Sequence, residues 1–157
     1  MTRRANSAHQ PDLLDWQPAE PVTRFDETLV RASSIAGRVC RGVSVALKEA
    51  AARGLSREHI AQAMSDYLDE SVSKNMLDAY ASQAREEHII NVVRFIALVH
   101  ATGDRRLLEM IAQMFGWSVI EERYLPLIEL AQVREKEDEL KRHSEALRRR
   151  ARAGGLV

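Results

Sequence analysis

Apolar positions recur at helical spacing along most of the chain, and nowhere do they alternate as a strand requires. Leu29, Ala32, Ala36, Val39, Val43 and Leu47 form one stripe, which predicts a long helix from Phe25 to Arg53. Gly37 and Gly42 interrupt it; each either weakens the helix or marks a close approach to another one. Ile60, Ala61, Met64 and Leu68 make a second face behind Ser56, a residue suited to cap a helix start. Asp69, Glu70 and Ser71 break the pattern. Val72 then turns inward, Ser73 offers a second cap, and Leu77 and Tyr80 share a buried face.

The polar run SQAREEH follows, and Ile89 to Ala101 is again helical, with Ile89, Val92, Val93, Phe95, Ile96 and Val99 as its core positions. Gly103 is placed to end that helix and Asp104 to cap RRLLEMIAQMFG, which closes at Gly116. Trp117, Val119 and Ile120 lead out as a short extended segment. The longest helix is expected from about Glu122 to Ala153, with Pro126 tolerated in its first turn, where its missing N–H costs nothing.

These elements predict an all-α chain: a compact helical domain containing a helix-turn-helix, followed by a long C-terminal helix. Residues 1–22 hold Pro11, Pro18 and Pro21 and read as an extended arm, either a free tail or one docked through Leu13, Leu14 and Trp16. Residues 23–120 form the domain, with the helix-turn-helix at 54–82, and residues 121–157 the C-terminal helix with a basic tail. In that last helix Leu130, Val133, Glu137, Leu140, Ser144, Leu147 and Ala151 alternate by three and four residues, as a heptad seam does. The seam is either a solvated stripe or a homodimer contact. A parallel pairing would bring Glu137 against its symmetry mate. An antiparallel one would set the acidic 135–139 block opposite the basic 148–152 block.

Charge changes the picture more than composition does. The formal net charge is zero, yet residues 54–90 carry a net −4 and residues 141–157 a net +5. DNA affinity rests on cations that face phosphates, so an acidic helix-turn-helix is an unusual reader and the tail the natural electrostatic contact. Arg24, Arg31 and Arg38 recur every seven residues; on one helix they would share a face, phosphate-tracking or simply solvated.

Catalytic and metal chemistry find no foothold in the pattern. GRVCRGVS has two glycines but lies within a helical run, where it cannot cradle phosphate. No HExxH or nucleophile elbow is present, and the five histidines are scattered. A single cysteine, Cys40, cannot form an intramolecular disulfide. Without an apolar run of membrane length, the reading is a cytoplasmic protein with no cofactor, no enzymatic activity and no membrane partner.

LSREHIAQAM followed by VSKNMLDAY resembles the helix-turn-helix of repressor-like domains, closest to the small regulators of temperate and Mu-like phages. The partial match extends over residues 54–116. The resemblance implies that Arg57 touches phosphate and that Ser73, Lys74 and Asn75 face bases. This chain departs from the pattern in a longer connection, SDYLDES, and in Tyr80 where the family ends on Trp.

Two functions follow as expectations. One is a phage-type transcriptional regulator that binds double-stranded DNA. Its second short helix presents Ser73, Lys74, Asn75 and Asp78 to the major groove, where Lys and Asn can read purine edges. Arg57 and Arg85 contact the backbone, and Arg148, Arg149 and Arg150 add non-specific attraction. The other is a phage-type protein-binding adaptor, a transposition accessory or anti-repressor, that uses the same scaffold and its acidic face.

Overall fold

Five side chains decide where helices start. Asp26 accepts a hydrogen bond from the Thr28 N–H at 2.9 Å, Ser34 from Gly37 at 3.0 Å and Ser56 from His59 at 3.2 Å. Ser73 accepts from Met76 at 3.3 Å and Asn91 from Arg94 at 2.9 Å. Each satisfies a backbone donor that the first helical turn leaves without a partner. The computed structural model describes residues 20–82 and 89–155. Among them the helices are α1 (Glu27–Val30), α2 (Ile35–Ala52), α3 (Arg57–Leu68), α4 (Lys74–Tyr80), α5 (Val92–Thr102), α6 (Arg106–Ala112) and α7 (Leu125–Ala153). Short 3-10 turns at Gln113–Phe115 and Glu122–Tyr124 flank the passage from α6 to α7. The all-α expectation and the long C-terminal helix hold.

The expected single helix from Phe25 to Arg53 does not. Arg31 leaves α1 in extended conformation and Ser34 restarts the chain as the cap of α2. The apolar stripe reads across this break because its spacing is helical on both sides. Consequently Arg24, Arg31 and Arg38 do not line one face. Arg24 pairs with Glu109 at 3.0 Å and Arg38 with Glu27 at 2.9 Å.

α3 packs chiefly across α5, with α2 beneath them and α4 and α6 closing the sides. Val43, Ala46, Leu47, Ile60, Met64, Leu77, Leu98 and Leu107 are all but fully buried at the centre. Each large side chain there contributes on the order of 1.5–3 kcal/mol through burial. Gly42 lets α2 approach α6: a Cβ at that position would lie 2.8 Å from both Sδ and Cε of Met110. α5 turns a different face inward than its pattern suggested. Phe95, Ala97 and Leu98 are buried, whereas Ile89, Val92, Val93 and Ile96 are exposed. The helix is apolar on nearly every side, so periodicity alone does not select a face.

Polar contacts tie residues 23–25 to α6. Glu109, 1% exposed, accepts from Arg24 Nε at 3.0 Å and from the Val119 N–H at 2.6 Å. Arg105 donates to Thr23 at 3.0 Å. Arg106 lies 4.4 Å above the Phe25 ring centroid and pairs with Asp104 at 2.7 Å and Glu49 at 2.5 Å. Those carboxylates, Asp104 foremost, raise the Arg106 pKa above its ordinary value. The cap position of α6 falls to Arg105 rather than Asp104, although Asp104 Oδ1 still accepts from the Arg106 N–H at 3.1 Å. Residues 117–120 form no strand.

α7 is unlike the rest. It runs for 29 residues, about 44 Å, without a buried residue. No helix among the described residues is long and apolar enough to cross a membrane.

Candidate nucleic-acid interface

The turn between α3 and α4 is organised by Ser65. Its hydroxyl donates to the Ala61 carbonyl at 2.8 Å, as mid-helix serines often do, and its oxygen accepts from the Val72 N–H at 2.9 Å. The Ser65 carbonyl accepts from the N–H groups of Asp69 and Glu70. Asp69 takes the left-handed conformation, φ 53°, that a short helix stop requires and that aspartate tolerates better than most residues. Val72, 6% exposed, pins the turn to the core. Since α3 reaches Leu68, the connection is five residues, Asp69 to Ser73, and falls where Asp69, Glu70 and Ser71 break the apolar pattern.

Beyond the turn, α4 stands with one face in the core. Leu77, Ala79 and Tyr80 are buried with Ile60 and Met64, and the Tyr80 hydroxyl accepts from Arg94 of α5 at 2.7 Å. That leaves Lys74 and Asn75 exposed in the first turn of α4, as expected from the spacing. The Ser73 oxygen is engaged with the Met76 N–H, so its side chain serves the helix first.

Two ion pairs lace α3 to α4. Lys74 reaches Glu58 at 2.6 Å, and Arg57 pairs with Asp78. The Lys74 ammonium is the main cause of a Glu58 pKa lowered to about 2. The two cations of this face expected to meet DNA, Arg57 and Lys74, are thus already paired with carboxylates of the same face. Asp66, Asp69 and Glu70 are exposed close by, and Asp66 accepts from Gln62 at 2.7 Å. Across α3, Tyr67 stacks on His100 of α5, with ring centroids 4.2 Å apart.

The structure therefore gathers Arg57, Ser73, Lys74, Asn75 and Asp78 on one α3–α4 surface. Arg148, Arg149 and Arg150 lie apart from it on α7, exposed. Arg85 falls outside the described residues, as do residues 1–19 of the proline-rich arm. Sequence reasoning missed Glu58, Ser65 and Arg94 as determinants of this surface. Only Ser65 carried a signal, a serine facing inward four residues after Ala61. Among the described residues no three His, Cys, Asp or Glu side chains converge as a metal site. Comparison with protein-family models, curated proteins and solved structures finds no match.

Proposed function

We propose that the chain is a double-stranded-DNA-binding regulator in which α4 enters the major groove. The observation that carries this reading is the posture of α4. Its buried residues fix the helix, while Lys74 and Asn75 project from its first turn, the part of a recognition helix that meets base edges. Asn75 is suited to a bidentate contact with adenine. Lys74 and Arg57 exchange their carboxylate partners for phosphate or base oxygens on binding, which makes affinity modest and discrimination dependent on Asn75.

A second reading, an adaptor for a basic protein partner, draws on Asp66, Asp69 and Glu70, which remain as excess negative charge once the Lys74–Glu58 and Arg57–Asp78 pairs are neutralised. Selection from a genomic fragment library at two salt concentrations, with sequencing of bound DNA, separates the two. A regulator enriches discrete sites at both. Asn75→Ala then loses site preference while retaining salt-dependent binding. An Arg148→Ala/Arg149→Ala/Arg150→Ala variant weakens all sequences alike and flattens the salt slope by about 0.9 for each phosphate it no longer neutralises. Recovery without enriched sites excludes base readout by α4.

A further inference from the structure

The unpartnered apolar stripe of α7 carries its own specification of what covers it. Leu130, Val133, Leu140 and Leu147 are each about half exposed on one continuous helix. Their spacing places them at the two inward positions of a heptad, together with Glu137 and Ser144. The residues bordering the stripe are Arg134, Lys141 and Arg148 on one side and Lys136, His143 and Arg150 on the other. Glu135, Asp138, Glu139 and Glu145 lie on the opposite side of the helix, together with Arg142 and Arg149. No carboxylate therefore borders the stripe between residues 130 and 151.

This arrangement disfavours a second copy as the occupant. In a parallel pair Lys136 would face Lys141 of the other helix and His143 would face Arg148. In an antiparallel pair each border would meet itself, cation against cation, while the 135–139 carboxylates pointed mostly away. In such a pair the acid–base complementarity between the 135–139 and 148–152 blocks would lie away from the seam. Among the described residues no side-chain ion pair engages Arg134, Lys141, Arg148 or Arg150; Lys136 alone of this border is paired, with Glu139 at 2.5 Å.

Nucleic acid would satisfy the borders but leave the leucines wet. A bilayer surface calls for a broad apolar face with aromatic anchors, whereas this stripe is one side chain wide and residues 125–153 contain no Phe, Tyr or Trp. We infer that α7 is one strand of a heteromeric coiled coil whose partner helix carries leucine-type residues at its inward positions and Glu or Asp along both borders. A basic or polar residue opposite Glu137 would set the register. This inference stands whether or not α4 reads DNA.

The probe is a labelled synthetic peptide of about four heptads with Leu and Ile inward and Glu at both border positions. Its control is the same peptide with Lys at the borders, and both are titrated against the full chain by fluorescence anisotropy. The Glu peptide binds, more weakly as salt rises, and the Lys peptide does not. Leu140→Asp, at a position 59% exposed, abolishes the complex while the domain stays folded by thermal melt. Lys141→Glu/Arg148→Glu weakens the Glu peptide by about tenfold or more and admits the Lys peptide. Equal binding of the two peptides, or of neither, overturns the inference. So does a chain that sediments as a dimer that Leu140→Asp dissociates, or one whose binding to phosphatidylserine vesicles is lost in Leu140→Asp.

Discussion

The Lys74 ammonium lies 2.6 Å from the Glu58 carboxylate, so a cation proposed to meet DNA is held by the helix behind it. Glu58→Gln removes the competitor without changing its shape. Lys74 then becomes available to phosphate, and affinity for duplex DNA at low salt is expected to rise by about three- to tenfold, with a steeper salt slope. Anisotropy titrations at several salt concentrations measure it. Unchanged affinity would show that Lys74 does not face the DNA.

The same pair has a pH signature. Glu58 is held at about 2, below its ordinary value of 4.5, chiefly by Lys74. Its contribution to stability is therefore complete above pH 4.5 and fades as pH falls toward 2. In Lys74→Met the Glu58 carboxyl should titrate higher than in the wild type, read by carbon-detected NMR, and the wild-type advantage in stability should vanish at the acid end. A Glu58 titration unmoved by the substitution would deny the pair in solution.

Leu77 is fully buried in the wall between α4 and α3. Leu77→Ala should cost about 2–5 kcal/mol, from forfeited transfer energy and the cavity left behind. A near-neutral midpoint in a urea melt would mean that α4 presents this face to solvent and Lys74 to the core.

Arg24 is half exposed, and a substitution there would ordinarily be mild. It nevertheless donates to Glu109, whose side chain is 2% exposed. Arg24→Ala strands that carboxylate with the Val119 N–H as its remaining donor, and is expected to cost about 1–3 kcal/mol. Adding Glu109→Gln should recover part of the loss. Differential scanning calorimetry of the two single variants and the double variant gives the coupling. Strict additivity would place the two groups out of contact.

Much of this architecture was legible because it is local. Ser56 and Ser73 announced their helices and Gly103 its left-handed stop at φ 65°; of the two readings open for Gly42, the close approach holds, against Met110. What escaped depends on residues far apart in sequence. Nothing local links Lys74 to Glu58 or Arg57 to Asp78; the Ser65-centred turn brings them together. The break at Arg31–Ser34 escaped for a different reason. The apolar spacing is uninterrupted there, and the Ser34 side chain outcompetes it by offering the Gly37 N–H a partner. On α5 the pattern was too rich, with apolar residues on every side, so the buried face was settled by what α3 could cover.

Because no residue of α7 is buried against the domain, its helicity is supported mainly by intrinsic preference and by contacts such as Lys136–Glu139. A helix in that condition lies near the balance between coil and helix in water. Its backbone amides should then trade protons with solvent orders of magnitude faster than those of α2 or α3, whose opening needs the core to part. The exchange rate along residues 132–150 thereby becomes a gauge of occupancy. It runs fast while the stripe is bare and slows sharply once another helix lies against it, with no need to know in advance which molecule has arrived.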